Sequence, residues 1–197
     1  GAFTVRVLAG LIAHCGVYTG SNSEAELNKA AEERYSAFRD KFKHGYLSRG
    51  IGWLVKGVRA ILGKKPVECK VTDNEIEFIG VWDTVDAYGL PIDELAVLWD
   101  RLIFPIRFPD QRLSTQVKRA CHAMSIDDER LTFHPLLWDE STEAGLAVDE
   151  KVAANRIEQV WFSGVHSDVG GGYAMNDLSL VPLDWMMDRV EAKSGRP

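Results

Sequence analysis

Hydrophobic positions along the chain form helical stripes towards its two ends and shorter apolar runs between them. "AFTVRVLAGLIAHCG" sets Phe3, Val7, Leu8, Leu11 and Ile12 on one helical face, with Gly16 as its stop. "SNSEAELNKAAEERYSAFRDKFKHG" opens on cap residues and closes at Gly45. Leu27, Ala31, Tyr35, Phe38 and Phe42 form its stripe, as in a surface helix. "GIGWLVKGVRAILGKK" interleaves Trp53, Leu54, Val58, Ile61 and Leu62 with Lys56, Arg59, Lys64 and Lys65, a basic amphipathic segment. "PIDELAVLWDRLI" reads as a helix with Pro91 at its start. "STQVKRACHAMSI" also reads as helical, with Val117, Ala120, Cys121 and Met124 inward. "LSLVPLDWMMDRVEAKSG" is a closing helix, with Gly195 after its end.

Two runs rich in β-formers read as buried strands, "EIEFIGVW" (75–82) and "IEQVWFSGV" (157–165). "RLTFHPLLW" is a short strand or extended segment interrupted by Pro135. Residues 139–155 are acidic and polar without a period and read as a surface loop. No internal repeat or low-complexity stretch occurs. Strands alternating with helices predict an α/β layer fold with a mostly parallel sheet. So few strands, and a first helix with no visible start before Gly1, predict a fragment whose earlier strands lie upstream.

The totals narrow the function. A chain of 197 residues suffices for one domain, and 46% hydrophobic with 26% charged residues is the composition of a soluble globular protein. A net charge of -6 speaks against a nucleic-acid surface, which needs a basic face. Cys15, Cys69 and Cys121 are far apart, odd in number and at no metal-binding spacing. They read as free thiols in a reducing compartment. No apolar run reaches the roughly 18 residues of a membrane helix, and no signal peptide is visible.

Both predicted strands run into a candidate catalytic residue. "FIGVW" leads to Asp83 and "VWFSGV" to His166. In open α/β sheets, ligands bind beyond the carboxyl ends of the strands. An acid followed along the chain by a histidine, each just past a strand, is the order an α/β-hydrolase uses after its serine. The acid orients the imidazole, and the imidazole moves the nucleophile's proton. Gly170, Gly171 and Gly172 follow in a loop that presents the histidine, with Asp168 positioned to bond its backbone amides. No G-x-G-x-x-G frame or P-loop is present. Asp83, His166 and Asp168 together offer an alternative, a metal-dependent hydrolase. "IDDER" (126–130) reads as a solvated or loop-bracing turn.

"GAFTVRVLAGLI", "FIGVWDTVDAYGLP", "HAMSIDDER" and "VWFSGVHSDVGGGYAMNDLSLVPLDWMM" occur in this order and span nearly the whole chain. They resemble successive blocks of an α/β-hydrolase domain family that includes the phospholipase effectors of bacterial type VI secretion. The resemblance implies the carboxyl-terminal part of an α/β-hydrolase, a three-layer sandwich with helical insertions. It implies a serine hydrolase of the lipase or phospholipase type, with no metal or organic cofactor. Gly1 then stands as the last glycine of G-x-S-x-G, and the serine lies two residues before it. The acid falls on Asp83 and the histidine on His166. Asp86, where the family more often has glycine, stands as a competing partner for the histidine. The implied substrate is a lipid or small ester, with residues 51–65 as a lid or membrane contact or, alternatively, a helix packed on the core. A secretion-system or immunity protein is the implied partner, and export from the cytoplasm without a signal peptide the implied route. The non-enzymatic alternative is a degenerate adaptor domain of a secretion or toxin system.

Overall fold

A computed structural model describes residues 1–20, 23–41, 69, 74–85, 111–130, 133–148 and 152–194. The basic segment 51–65, the helix expected from Pro91, and Asp86 lie outside the described residues. The chain divides into two compact units. One comprises Gly1–Arg6, Glu75–Asp86 and Asp110–Pro197; the other comprises Val7–Asn74 and Ala87–Pro109.

The first unit is built on a parallel sheet of three strands, β1 (Ile79–Trp82), β2 (Ala120–Ser125) and β3 (Ile157–Phe162), in the order β1-β2-β3. Ile79 pairs with Ala120 and Ala120 with Ile157, so the strand ends carrying Trp82, Ser125 and Phe162 lie on one edge of the sheet. An isolated bridge between Ile76 and Val117 extends the β1–β2 pairing towards its start. The chain is of mixed α/β architecture, as the alternation of elements predicts.

The central strand is the main departure from the sequence pattern. Residues 114–126 read as a helix, yet Ala120–Ser125 is β2. All six of its residues are buried. A strand covered on both faces shows no polar alternation. Its alanines and methionine favour helix intrinsically, and tertiary pairing overrides them. β3 was expected as a buried strand, but it ends at Phe162 and is only half-buried, with Trp161 49% exposed. It is paired on one side, to β2, within the described sheet.

Residues 139–155 are not simply a loop, because Glu140–Val148 forms helix α3. Its cap explains the start: the Asp139 carboxylate accepts from Ser141 N, Thr142 N and both hydroxyls. These bonds, chiefly the one from Ser141, lower its pKa to about 2. Glu143 of α3 forms a buried fork with Arg156, Nε–Oε2 2.6 Å and Nη2–Oε1 2.7 Å. The same guanidinium bonds the carbonyls of Leu113, Ser114 and Val117. One arginine thus ties α3 to the segment entering β2. The extended segment around Pro135 forms no strand among the described residues.

After β3 come a short helix α4 (His166–Gly170) and the closing helix α5 (Asp177–Ser194). Val169 of α4 and Met186 of α5 are buried with Cys121 and Ala123, and Phe78, Trp82, Phe162 and Trp185 pack around them. Gly80 permits this approach, since a Cβ there would meet Met186 Sδ at 2.8 Å.

The second unit holds most of α1 (Ala2–Cys15), which begins in the first unit, and α2 (Glu24–Lys41). Gly16, at φ 67°, ends α1 and donates to Ile12 O at 2.7 Å. The predicted stripe of α2 is rotated. Leu27 and Tyr35 are exposed, while Ala30, Arg34, Ala37 and Phe38 face inward. The reason is Arg34, which donates to Cys15 O at 2.7 Å and Gly16 O at 3.2 Å, capping the last carbonyls of α1. On α1 itself, Leu8 of the predicted stripe is 51% exposed. Cys15 and Cys69 form a disulfide, which corrects the expectation of three free thiols. Their separation of 54 positions hid the pairing, because spacing alone carries no information on proximity. Cys121 is free and buried.

Candidate active site

The site forms where the ends of the three parallel strands meet. β1 carries the chain into Asp83, whose backbone N–H still pairs with Ala123 O at 2.7 Å. Asp83 then turns at φ 39°, a left-handed conformation that costs a non-glycine residue of order 1 kcal/mol. The turn lays the carboxylate across the end of β2. There Oδ1 accepts Ser125 N–H at 2.9 Å and Oδ2 accepts the Ser125 hydroxyl at 2.8 Å. Oδ2 also meets His166 Nδ1 at 2.6 Å. Asp83 is 1% exposed, and the His166 side chain is about one-third exposed.

This geometry selects a tautomer. A buried carboxylate against Nδ1 requires the proton there, which leaves Nε2 as the basic nitrogen. The carboxylate can stabilise an imidazolium once Nε2 takes a proton. The pair therefore has the polarity of a general base held by an acid.

His166 is the first residue of α4, and the backbone before it is tightly held. Gly164, at φ 105°, takes a conformation that side chains resist, and a Cβ there would meet Asp168 Cβ at 2.5 Å. The amides of Gly164, Val165 and His166 donate in succession to Asp127 Oδ2 (2.6 Å), Asp168 Oδ2 (3.0 Å) and Asp128 Oδ2 (3.2 Å). Asp168 thus bonds a backbone amide beside His166, as expected. Gly170 ends α4, and Gly171 and Gly172 follow at φ 81° and 121°. Asp168 does not gather with Asp83 and His166 as a ligand cluster among the described residues. The cluster with ligating chemistry is His14, Cys15 and Cys69, whose two sulfurs are joined to each other.

A second histidine lies behind the acid. His122 of β2 is fully buried, and its Nε2 accepts Thr84 N–H at 3.0 Å. Burial first, and then the positive charge of Arg6, push its pKa down to about 4, so the imidazole is neutral at physiological pH. Trp138 sits edge-on to it at 5.6 Å, and the Arg6 guanidinium stacks over the same indole at 4.6 Å. Arg6 also bonds Leu136 O, and Leu136 N–H bonds Thr84 O at 2.7 Å. The start of α1 is thereby connected to the residue after Asp83.

The sequence marked Asp83 and His166, and these are the groups brought together. It passed over Ser125 and His122, which lay in the segment read as a helix. The "IDDER" turn braces the loop, as one of its two readings held, through Asp127 and Asp128. Gly1 precedes α1 and belongs to the first unit.

Neither a curated protein nor a solved structure gives a significant match to the chain. No helix among the described residues is long and apolar enough to cross a membrane. A family model described as "T6SS, Phospholipase effector Tle1-like, catalytic domain" matches residues 1–189, and the chain belongs to that family.

Proposed function

We propose that this chain supplies the acid and base of a serine ester hydrolase of the α/β-hydrolase type, acting on phospholipid. The observation that carries the reading is the 2.6 Å contact between Asp83 and His166 at the ends of parallel strands. The phospholipase family of the chain supports the substrate class. The nucleophile of this reading is the serine of a G-x-S-x-G elbow, with α1 as the helix that follows it. The link from Arg6 through Leu136 to Thr84 supports this, because it couples that helix to the acid's strand.

In the reaction, His166 Nε2 takes the serine proton as the hydroxyl attacks the ester carbonyl. The imidazolium, balanced by Asp83, returns the proton to the leaving alcohol. Water then repeats the sequence on the acyl-enzyme and releases the fatty acid. The protein acts as a type VI secretion effector, in keeping with its family. Residues 51–65 are its candidate lipid contact.

The test is hydrolysis of phosphatidylglycerol or phosphatidylethanolamine vesicles by the full-length protein. Expected are fatty-acid release, labelling of the elbow serine by a fluorophosphonate, and loss of both on replacing that serine by alanine. Chelator-sensitive turnover that ignores the fluorophosphonate would overturn the serine mechanism.

A further inference from the structure

We propose that Asp128 is a positioning residue for His166, holding the backbone from which the imidazole projects. The proposal rests on the hydrolase reading above and names a residue which that reading does not use. Three successive amides, those of Gly164, Val165 and His166, point at carboxylates. Such a run of N–H groups forms an anion-binding concavity. Here it is filled from within the chain, and two of the three carboxylates, Asp127 and Asp128, come from the turn that leaves β2.

That origin gives the turn a specific effect. The last residue of β2, Ser125, holds the acid through two hydrogen bonds. Two and three residues later, Asp127 and Asp128 hold the backbone of the base. Residues 125–128 therefore fix both ends of the Asp83–His166 pair from one piece of chain. Ile126 N–H to Phe162 O (3.1 Å) and Asp127 N–H to Gly164 O (3.2 Å) keep this piece in register with the end of β3.

The grip extends to the ring. Arg130 forks onto Asp128 through Nε (2.8 Å) and Nη2 (2.6 Å), and its guanidinium lies 3.6 Å over the ring of Phe133. Phe133 in turn meets the His166 imidazole edge-on, at 5.2 Å and 76°. The Asp128 side chain is 2% exposed and lies near the surface, paired with the Arg130 side chain, which is 56% exposed. Arg130 holds the Asp128 carboxyl well below the usual carboxylate range, so it is an ionised acceptor for His166 N–H across the working pH range. Loosening this grip lets the imidazole drift from Asp83 and from its substrate-facing position. Misplacement by about 1 Å can cost up to about 100-fold in rate without weakening substrate binding.

The experiment uses the full-length protein and a soluble chromogenic ester, which removes lipid-surface effects. Asp83→Asn and His166→Ala test the underlying reading: wild-type turnover in both refutes it, whatever Asp128 does. With that reading intact, Asp128→Ala is expected to lower kcat about 10- to 100-fold while KM stays within about twofold. Asp128→Asn keeps an oxygen for His166 N–H and is expected to recover most of the loss. Arg130→Met leaves that acceptor in place but frees it to move, with kcat expected to fall roughly fivefold. Should Asp128→Ala not fold, the other two variants decide. Wild-type kcat in Asp128→Ala, or in Arg130→Met where the alanine variant does not fold, overturns the proposal. So does a loss that resides in KM alone.

Discussion

Asp83 Oδ2 lies 2.6 Å from His166 Nδ1, although 83 positions separate the two in the chain. Ser125 donates to the same carboxylate twice, so the acid cannot turn away from the imidazole. Asp83→Asn preserves shape and presents an amide where a carboxylate fixed the tautomer. In the full-length enzyme it is expected to lower kcat by about 10³- to 10⁴-fold with little change in KM. Steady-state kinetics on a soluble ester decide this, and a loss below tenfold would remove Asp83 from the role of acid.

Ser125→Ala removes the hydroxyl but keeps the backbone N–H on Oδ1. One lone pair of a buried carboxylate then loses its donor. Stability is expected to drop by roughly 1–3 kcal/mol, because the vacated acceptor stays desolvated. Urea unfolding of the variant beside the parent measures it. An unchanged midpoint would show that the hydroxyl is dispensable to the acid.

The pair of Glu143 and Arg156 is a separate, structural feature. Both side chains are nearly covered, and the arginine also satisfies three carbonyls. Glu143→Ala leaves that guanidinium buried without its counter-charge, with an expected loss of about 3–5 kcal/mol. Glu143→Gln, which keeps an acceptor, is expected to lose less. Equal stability of the alanine variant and the parent in chemical denaturation would contradict the pair's importance.

His122 gives the fold a pH dependence of definite sign. Its pKa falls from 6.5 to about 4 on folding, so between those values the unfolded chain binds the proton and the folded chain does not. The contribution is fully present above pH 6.5, is lost as pH falls towards 4, and then levels off. The total is on the order of 3 kcal/mol. Asp128 and Asp139, whose carboxyls are lowered below the ordinary 3.8, act beneath this window, losing their contributions as pH falls further. Denaturation midpoints from pH 7.5 to 4 are expected to decline in the parent and to flatten in His122→Gln. A parent profile without decline would refute the assignment.

The Cys15–Cys69 disulfide closes a loop of 54 positions. Loop-closure entropy of that length is worth about 4 kcal/mol. A dithiol reductant is expected to lower the thermal midpoint of the parent, while Cys15→Ser lowers it beforehand and removes the response. Identical melting with and without reductant, in a protein whose thiols titrate as oxidised, would contradict this.

The sequence by itself determined the elements whose reasons are local. α1, α2 and α5 follow from helical spacing, α1 with its glycine stop at Gly16, and β1 and β3 from runs of β-formers. It also marked Asp83 and His166, because each follows such a run and parallel strands bring their carboxyl ends together. The tertiary structure decided what depends on partners. Residues 120–125 have helix-like spacing and composition, and only burial on both faces made them the central strand. With that strand misread, Ser125 and His122 could not be seen beside the acid. The inward face of α2 was set by Arg34 reaching the end of α1, which no periodicity records. The disulfide and the carboxylates of Asp127 and Asp128 around His166 likewise join residues distant in sequence. Local preference is written in short windows of the chain, whereas hydrogen-bond partnership across tens of residues exists only once the chain has folded.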